Sequence, residues 1–209
     1  MSPGGWRGLD QPVTDAPGKM VPSGKGRVAY LTRPRYGTVD DLELYGVGQG
    51  SSRGAGPSNL MTLGWRTVLA FTPSLVGCMI AGGNHSFARI RNSPECVISL
   101  PTTVLTNQVV GIGNTSGRQI DKFAVFGLTA AEAHHVGAPL ICECHASFEC
   151  RLYDDVLVNK YNFFIFEVVK AHVAAVPKHP ETLHYTGEGV FMVSGKIISR
   201  RALFRPEIL

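Results

Sequence analysis

No stretch of this 209-residue chain is apolar for long enough to span a bilayer. Nor does a basic segment followed by an apolar stretch and a small-residue cleavage site open it, so the sequence predicts a soluble, cytoplasmic protein without a membrane partner. Cysteine is sparse. The count is 5, an odd number in a chain with no secretory signal, which fits reduced thiols better than a disulfide framework. Charge of one sign is also lacking. The formal net charge is only +4, and the lysines and arginines are interspersed with acids, which argues against a nucleic-acid partner. The dinucleotide fingerprint is missing too, because Gly111-Ile-Gly113 continues as Asn-Thr-Ser116 and lacks the third glycine. A P-loop is excluded by Arg118, which follows Gly117 where lysine and a hydroxyl residue are required.

What is present changes character near residue 57. The preceding segment holds 12 of the 24 glycines, no cysteine and only short apolar patches at 28–31 and 42–47, so residues 1–57 read as an irregular, partly disordered segment. Residues 58–209 read as one domain with regular elements. Strands are predicted at 59–71, 74–81 and 96–100, and a short helix at 86–91. A further helix is predicted at 103–111, capped by Thr102 or Thr103 after Pro101. Two long alternating segments, 140–153 and 161–173, are joined by a polar turn and predict a hairpin, and a last strand is expected at 189–198. Strands dominate without a strand-helix-strand rhythm, so the fold class is mainly β, a barrel with short helical insertions.

The run Cys142-Glu-Cys144-His145 with Cys150 nearby invites a metal reading. Taken as one continuous strand, however, 140–152 puts Cys142, Cys144 and Cys150 on an apolar face, with His145 and Glu149 on the other. Buried packing cysteines are then expected, with no metal site. A different chemistry is suggested by Gly111-Ile-Gly-Asn-Thr-Ser-Gly-Arg-Gln-Ile-Asp-Lys-Phe123. Glycines allow close approach of backbone to a ligand, hydroxyls and amides donate hydrogen bonds, and Arg118 and Lys122 supply positive charge. Such a composition suits a phosphate or another compact acid. On residue types alone, however, a helix C-terminus and its turn is the favoured reading.

Several motifs occurring in order decide between these readings. Asn59-Leu-Met-Thr-Leu-Gly-Trp65, Leu75-Val-Gly-Cys-Met-Ile80, Asn84-His-Ser-Phe87, Glu95-Cys-Val-Ile98, Gly113-Asn-Thr-Ser-Gly-Arg118 with Asp121-Lys-Phe123, Ala138-Pro-Leu-Ile141 and Lys160-Tyr-Asn162 resemble the flavin reductase and flavoredoxin family. That resemblance implies an FMN-binding split β-barrel, usually a homodimer with the flavin near the subunit interface. It implies flavin contacts from Asn59, Met61, Thr62 and Trp65, and a phosphate site between Asn84, His85, Ser86 and Phe87 on one side and Ser116, Gly117, Arg118, Lys122 and Phe123 on the other. His184 and Phe191 resemble the region where relatives meet the nicotinamide.

The activity so implied is an NAD(P)H:flavin oxidoreductase, with NADH or NADPH as donor and hydride passing to flavin N5. No protein nucleophile or catalytic residue is needed, because the cofactor carries the chemistry. A flavoredoxin-like carrier reduced by a protein is the alternative. A monooxygenase component or an electron-transfer protein would be the partner. Individual side chains also have plainer readings: Trp65 as a core or interface residue, Met61 as packing, His85 as a cap, Arg118 and Lys122 as solvated charges. Upstream of Pro57 the resemblance stops. Where relatives place an apolar first strand, this chain has Glu43-Leu-Tyr-Gly-Val-Gly-Gln-Gly50, so the sequence leaves the first strand and the closure of the barrel open.

Overall fold

The computed structural model describes residues 43–47, for their backbone, and 58–208. The sequence-predicted apolar patch at 28–31 lies outside them, as does the segment before residue 58 apart from 43–47. Seven strands form one antiparallel sheet: β1 (Glu43–Val47), β2 (Asn59–Leu63), β3 (Arg66–Phe71), β4 (Ser74–Met79), β5 (Glu95–Leu100), β8 (Ala146–Asp154) and β9 (Phe163–Val173), in the order β2-β1-β5-β8-β9-β4-β3. Its two end strands, β2 and β3, are consecutive in sequence and separated only by Gly64 and Trp65. A row whose ends are tied by two residues must curl back on itself, and the sheet is a split barrel.

The predicted strand at 59–71 is therefore two strands with a corner at Gly64-Trp65, where the Trp65 carbonyl accepts from the Met79 amide at 3.0 Å. β1 is a correction as well. It lies in the segment whose composition reads as irregular, yet it pairs with both β2 and β5. Its flanking glycines mask a five-residue strand from any compositional reading.

Alternation builds the barrel interior. Val76 and Cys78 of β4, Cys96 and Ile98 of β5, Cys150 of β8, and Phe164 and Phe166 of β9 point to one side and form the largest apolar cluster, with Met61 and Leu63 from β2. α1 (His85–Asn92) adds Ile90 to this cluster and packs Phe87 against it. Full burial of an aromatic ring or leucine contributes about 1.5–3 kcal/mol, so Phe164 and Phe166 are principal contributors. A second cluster lies behind β2. Leu60 meets Val109 and Ile112 of α2 (Thr106–Gly113) and Phe123 of α3 (Lys122–Phe126), together with Leu128, Ile141 and Leu183. Both faces of β2 are thereby covered, which is why its residues are buried almost without alternation.

α2 extends past the predicted end at Gly111, and a 3-10 turn at Thr103–Leu105 precedes it. Neither Thr102 nor Thr103 caps it through its side chain: Thr102 instead bridges to Thr182, and the Thr106 hydroxyl donates to the Thr103 carbonyl at 2.6 Å. Gly111 serves packing, because a Cβ there would collide with the Phe126 ring.

The long hairpin is present as β8 and β9, joined through α4 (Val158–Tyr161). Its first arm is shorter than predicted. β7 (Leu140–Ile141) pairs with β6 (Ala130–Ala131), and a turn over 142–145 separates it from β8. That turn takes Cys142 and Cys144 out of the strand, so Cys142 is exposed, Cys144 is half-buried, and only Cys150 of the three is a core residue, on the face shared with Phe148 and Leu152. Glu149, expected on a solvent face, is fully buried. The last predicted strand is shorter than expected: β11 (Val190–Val193) pairs with β10 (Leu183–Gly187), which was not predicted, in a separate hairpin, and residues 194–200 are irregular. Among the described residues no helix is long and apolar enough to cross a membrane.

Candidate functional site

The first residues of β2, the start of α1 and the loop from Asn114 to Asp121 converge at one end of the second core cluster. Asn59 is buried, and its Nδ2 donates to the Ser86 hydroxyl at 2.8 Å. Its carbonyl oxygen, equally buried, has no hydrogen-bond partner. Gly117 lies directly over that oxygen. A Cβ on Gly117 would overlap Asn59 Oδ1, so only glycine lets the loop press this close.

Positive charge collects beside the amide. Arg118 Nε donates to His85 Nδ1 at 3.2 Å, and the Ser116 hydroxyl accepts from the Arg118 backbone amide at 3.3 Å. Burial, and then the cations Arg89, Arg118 and Lys122, hold the His85 pKa below the usual imidazole value. A neutral ring is the form that accepts a hydrogen bond from a guanidinium. Among the described residues no carboxylate pairs with Arg118.

Lys122 stands differently. Its ammonium is buried and donates to the carbonyls of Leu60 and Ile112, both at 2.8 Å, tying β2 to the last turn of α2. Burial lowers its pKa to about 8. Lys122 thus adds positive potential to the cluster from behind, while Arg118 stands at its exposed side. Asp121 caps α3 by accepting from the amides of Phe123 and Ala124, at 3.0 and 3.3 Å.

The other sequence-predicted residues are placed around this cluster or away from it. Asn84 occupies the N-cap position of α1 without a side-chain cap bond. The Thr62 hydroxyl donates to the Val109 carbonyl at 2.7 Å, a tie between β2 and α2. Met61 and Phe123 are core residues, and Phe87 meets Phe164 edge to face at 5.3 Å. Trp65 is 61% exposed at the barrel corner. His184 is buried, with its Nε2 3.3 Å from the Thr182 hydroxyl. Phe191 packs on the second cluster, with its ring 5.3 Å from that of Tyr185.

One polar constellation was not anticipated. Fully buried Glu149 meets His172 Nε2 at 2.6 Å and accepts the backbone amides of His134 at 3.1 Å and His135 at 2.5 Å. Burial works to raise its pKa, but the hydrogen bonds from His172, His134 and His135 outweigh it and hold the carboxyl below its ordinary value. The only sequence signal was an acid between Phe148 and Cys150 in a strand, and that became informative only once the fold showed the loop of His134 and His135 covering this face. His172 also lines a cavity of ≈ 320 Å³, which contains none of the sequence-predicted site residues.

A split barrel with helices packed behind its first strands is the architecture of FMN-binding, flavin reductase-like proteins. Residues 45–193 match the model of the family described as "Flavin reductase like domain", and the chain belongs to that family. An uncharacterized protein of Archaeoglobus fulgidus is 32% identical over 111 residues, 53% of this chain and 63% of that protein. This chain therefore spans less than two thirds of that relative's length. Among solved structures, an FMN-binding domain of a flavin reductases-like enzyme from Shewanella baltica superposes with a TM-score of 0.67 at 22% identity, covering 77% of this chain and 88% of that one. Flavoredoxin of Desulfovibrio vulgaris superposes with a TM-score of 0.68 at 20% identity, covering 83% and 96%.

Proposed function

We propose that the chain binds FMN through its phosphate at Arg118 and the start of α1, and that it is an NAD(P)H:flavin oxidoreductase. The observation that carries this reading is a pair of complementary vacancies in hydrogen bonding and charge. Arg118 has no carboxylate partner among the described residues, and the buried Asn59 oxygen is an acceptor with no donor. A phosphate satisfies the first, and a hydroxyl reaches the second once the Gly117 loop that covers this oxygen moves aside; FMN carries both groups on one flexible chain. A charge-assisted hydrogen bond contributes about 1.5–3 kcal/mol.

When bound, the flavin supplies the hydride acceptor, and no nucleophile from the protein is required. The protein's share is orientation and electrostatics. Ser86 fixes the Asn59 amide, Gly117 permits the loop to close on it, and Lys122 raises the local potential without reaching outward. His85 orients Arg118. In a folded pocket these dipoles are set before the ligand arrives, which is the condition for effective electrostatic stabilisation.

Anaerobic mixing of the FMN-loaded protein with NADH or NADPH tests the activity. Flavin absorbance should bleach at a rate that saturates with nicotinamide, because hydride transfer requires a bound, stacked complex, and turnover should reach about 1 per second. Bleaching by dithionite but by neither nicotinamide would replace this reading with that of a flavoredoxin-like carrier.

A further inference from the structure

Three of the five cysteines, Cys78, Cys96 and Cys150, are fully buried in the barrel interior, where a thiol serves as a small apolar side chain. Packing does not account for Cys142, which is exposed. It accounts only in part for Cys144, which is half-buried against the second cluster. Both are thiols, they stand two residues apart, and both line the ≈ 320 Å³ cavity.

The backbone holds this spacing. The Cys144 amide donates to the Ile141 carbonyl at 3.2 Å and closes a four-residue turn with Cys142 and Glu143 at its centre. The Cys142 amide donates to the Thr129 carbonyl at 3.0 Å, and both Glu143 carboxylate oxygens accept from the Thr129 amide, at 2.9 and 3.1 Å. His145 is tied in turn to the backbone of Leu100 and Ala174. Two residues of fully extended chain span about 7 Å, and a turn shortens this into the Cα separation of about 4.4–6.8 Å that a disulfide requires. An exposed thiol is open to a small oxidant, and a second thiol within reach diverts the product to a disulfide.

We propose that Cys142 and Cys144 form a redox-active dithiol site whose oxidant is a peroxide. The Cys142 sulfur, as the thiolate, attacks one peroxide oxygen; the O–O bond breaks, the other oxygen leaves as water or an alcohol with the thiol's proton, and Cys142 becomes a sulfenic acid. The Cys144 sulfur then bonds to the Cys142 sulfur, and the sulfenic oxygen departs as water. Two electrons pass from the thiols to the peroxide, and both thiol hydrogens leave with the oxygens. His145, Ser147 and His172 line the same cavity, but these steps exchange protons with solvent and require no particular charge on either imidazole. The cavity contains none of the residues of the Arg118 cluster, so the dithiol acts whether or not the chain binds flavin.

Treatment of the full chain with hydrogen peroxide, followed by thiol titration in denaturant and peptide mass spectrometry, tests it. The wild type should lose two of its five thiols together, with the peptide bearing Cys142 and Cys144 lighter by about 2 Da and restored by dithiothreitol. Dimedone, which captures sulfenic acids, should label Cys142 in Cys144→Ser at least about tenfold more than in the wild type, because the variant has no second thiol to close the bond. Circular dichroism melting reports whether the variant folds, and Cys144→Ala takes its place if it does not. An unchanged thiol count in the wild type overturns the proposal. So does equal dimedone labelling of Cys142 with and without Cys144, a Cys142–Cys142 bond between two chains, or a disulfide that includes Cys78, Cys96 or Cys150 instead.

Discussion

His85 and His172 each touch one charged side chain, and the two partners have opposite signs. His85 accepts from Arg118 in a region where further cations, Arg89 and Lys122, lower its proton affinity. His172 meets Glu149, an anion whose charge is answered inside the protein by two amides and the imidazole itself. The second arrangement is complete as it stands, so its role is to hold a loop and a ring in place. The first is not. Positive potential beside an unpartnered amide oxygen is a deficit that folding alone would not select, and it marks the place where an anionic, hydroxylated ligand is to be expected.

The largest effect should come from breaking the complete arrangement. Glu149→Leu removes the acceptor for the amides of His134 and His135 and for His172, and loss of one member of a buried charged network costs about 3–5 kcal/mol. Urea unfolding should show this as a lower midpoint. A loss below about 1 kcal/mol would mean that the loop is held by its apolar contacts alone.

At the incomplete site, Gly117→Ala should cost about 1–3 kcal/mol of stability by forcing the loop off Asn59, an overpacking effect. Flavin affinity should fall with it. If thermal melting showed the alanine variant as stable as wild type with unaltered FMN binding, the close approach of loop and amide would carry no weight.

The smallest effect concerns Lys122, and its sign can be worked out. The folded pKa, about 8, lies below the unfolded value of about 10.5, so the unfolded chain binds more protons between them and stability rises with pH across that window. The slope cannot exceed about 1.4 kcal/mol per pH unit. Melting temperatures of wild type and Lys122→Met between pH 7.5 and 9.5 should therefore diverge, with the rise present in wild type and absent in the variant. Parallel curves would remove burial as the cause of the lowered pKa.

Local periodicity made part of this molecule readable in advance. Phe164 and Phe166 alternate cleanly because β9 runs unbroken through the barrel wall, and the β8–β9 hairpin and α1 were legible for the same reason. The loop from Ser116 to Lys122 was legible as a charged, glycine-rich stretch. Its internal division of labour was not, since only the fold shows that Lys122 faces two carbonyls while Arg118 meets His85.

Tertiary effects hid the remainder. β1 is a strand because β2 and β5 flank it, although its composition is that of a loop. The turn over 142–145 took Cys142 and Cys144 out of the strand, and the loop of His134 and His135 buried Glu149 on the face opposite the core. β10 was missed because it is only five residues long and its register shifts between Tyr185 and Gly187.

The central claim is that the positive end of this contrast exists for a phosphate, and parallel titrations of FMN and riboflavin into wild type and Arg118→Ala test it most directly. Removing one charge-assisted contact should weaken FMN binding by about tenfold or more and leave riboflavin, which lacks the phosphate, within about twofold of its wild-type affinity. Equal losses for the two flavins, or no loss for either, would contradict the account.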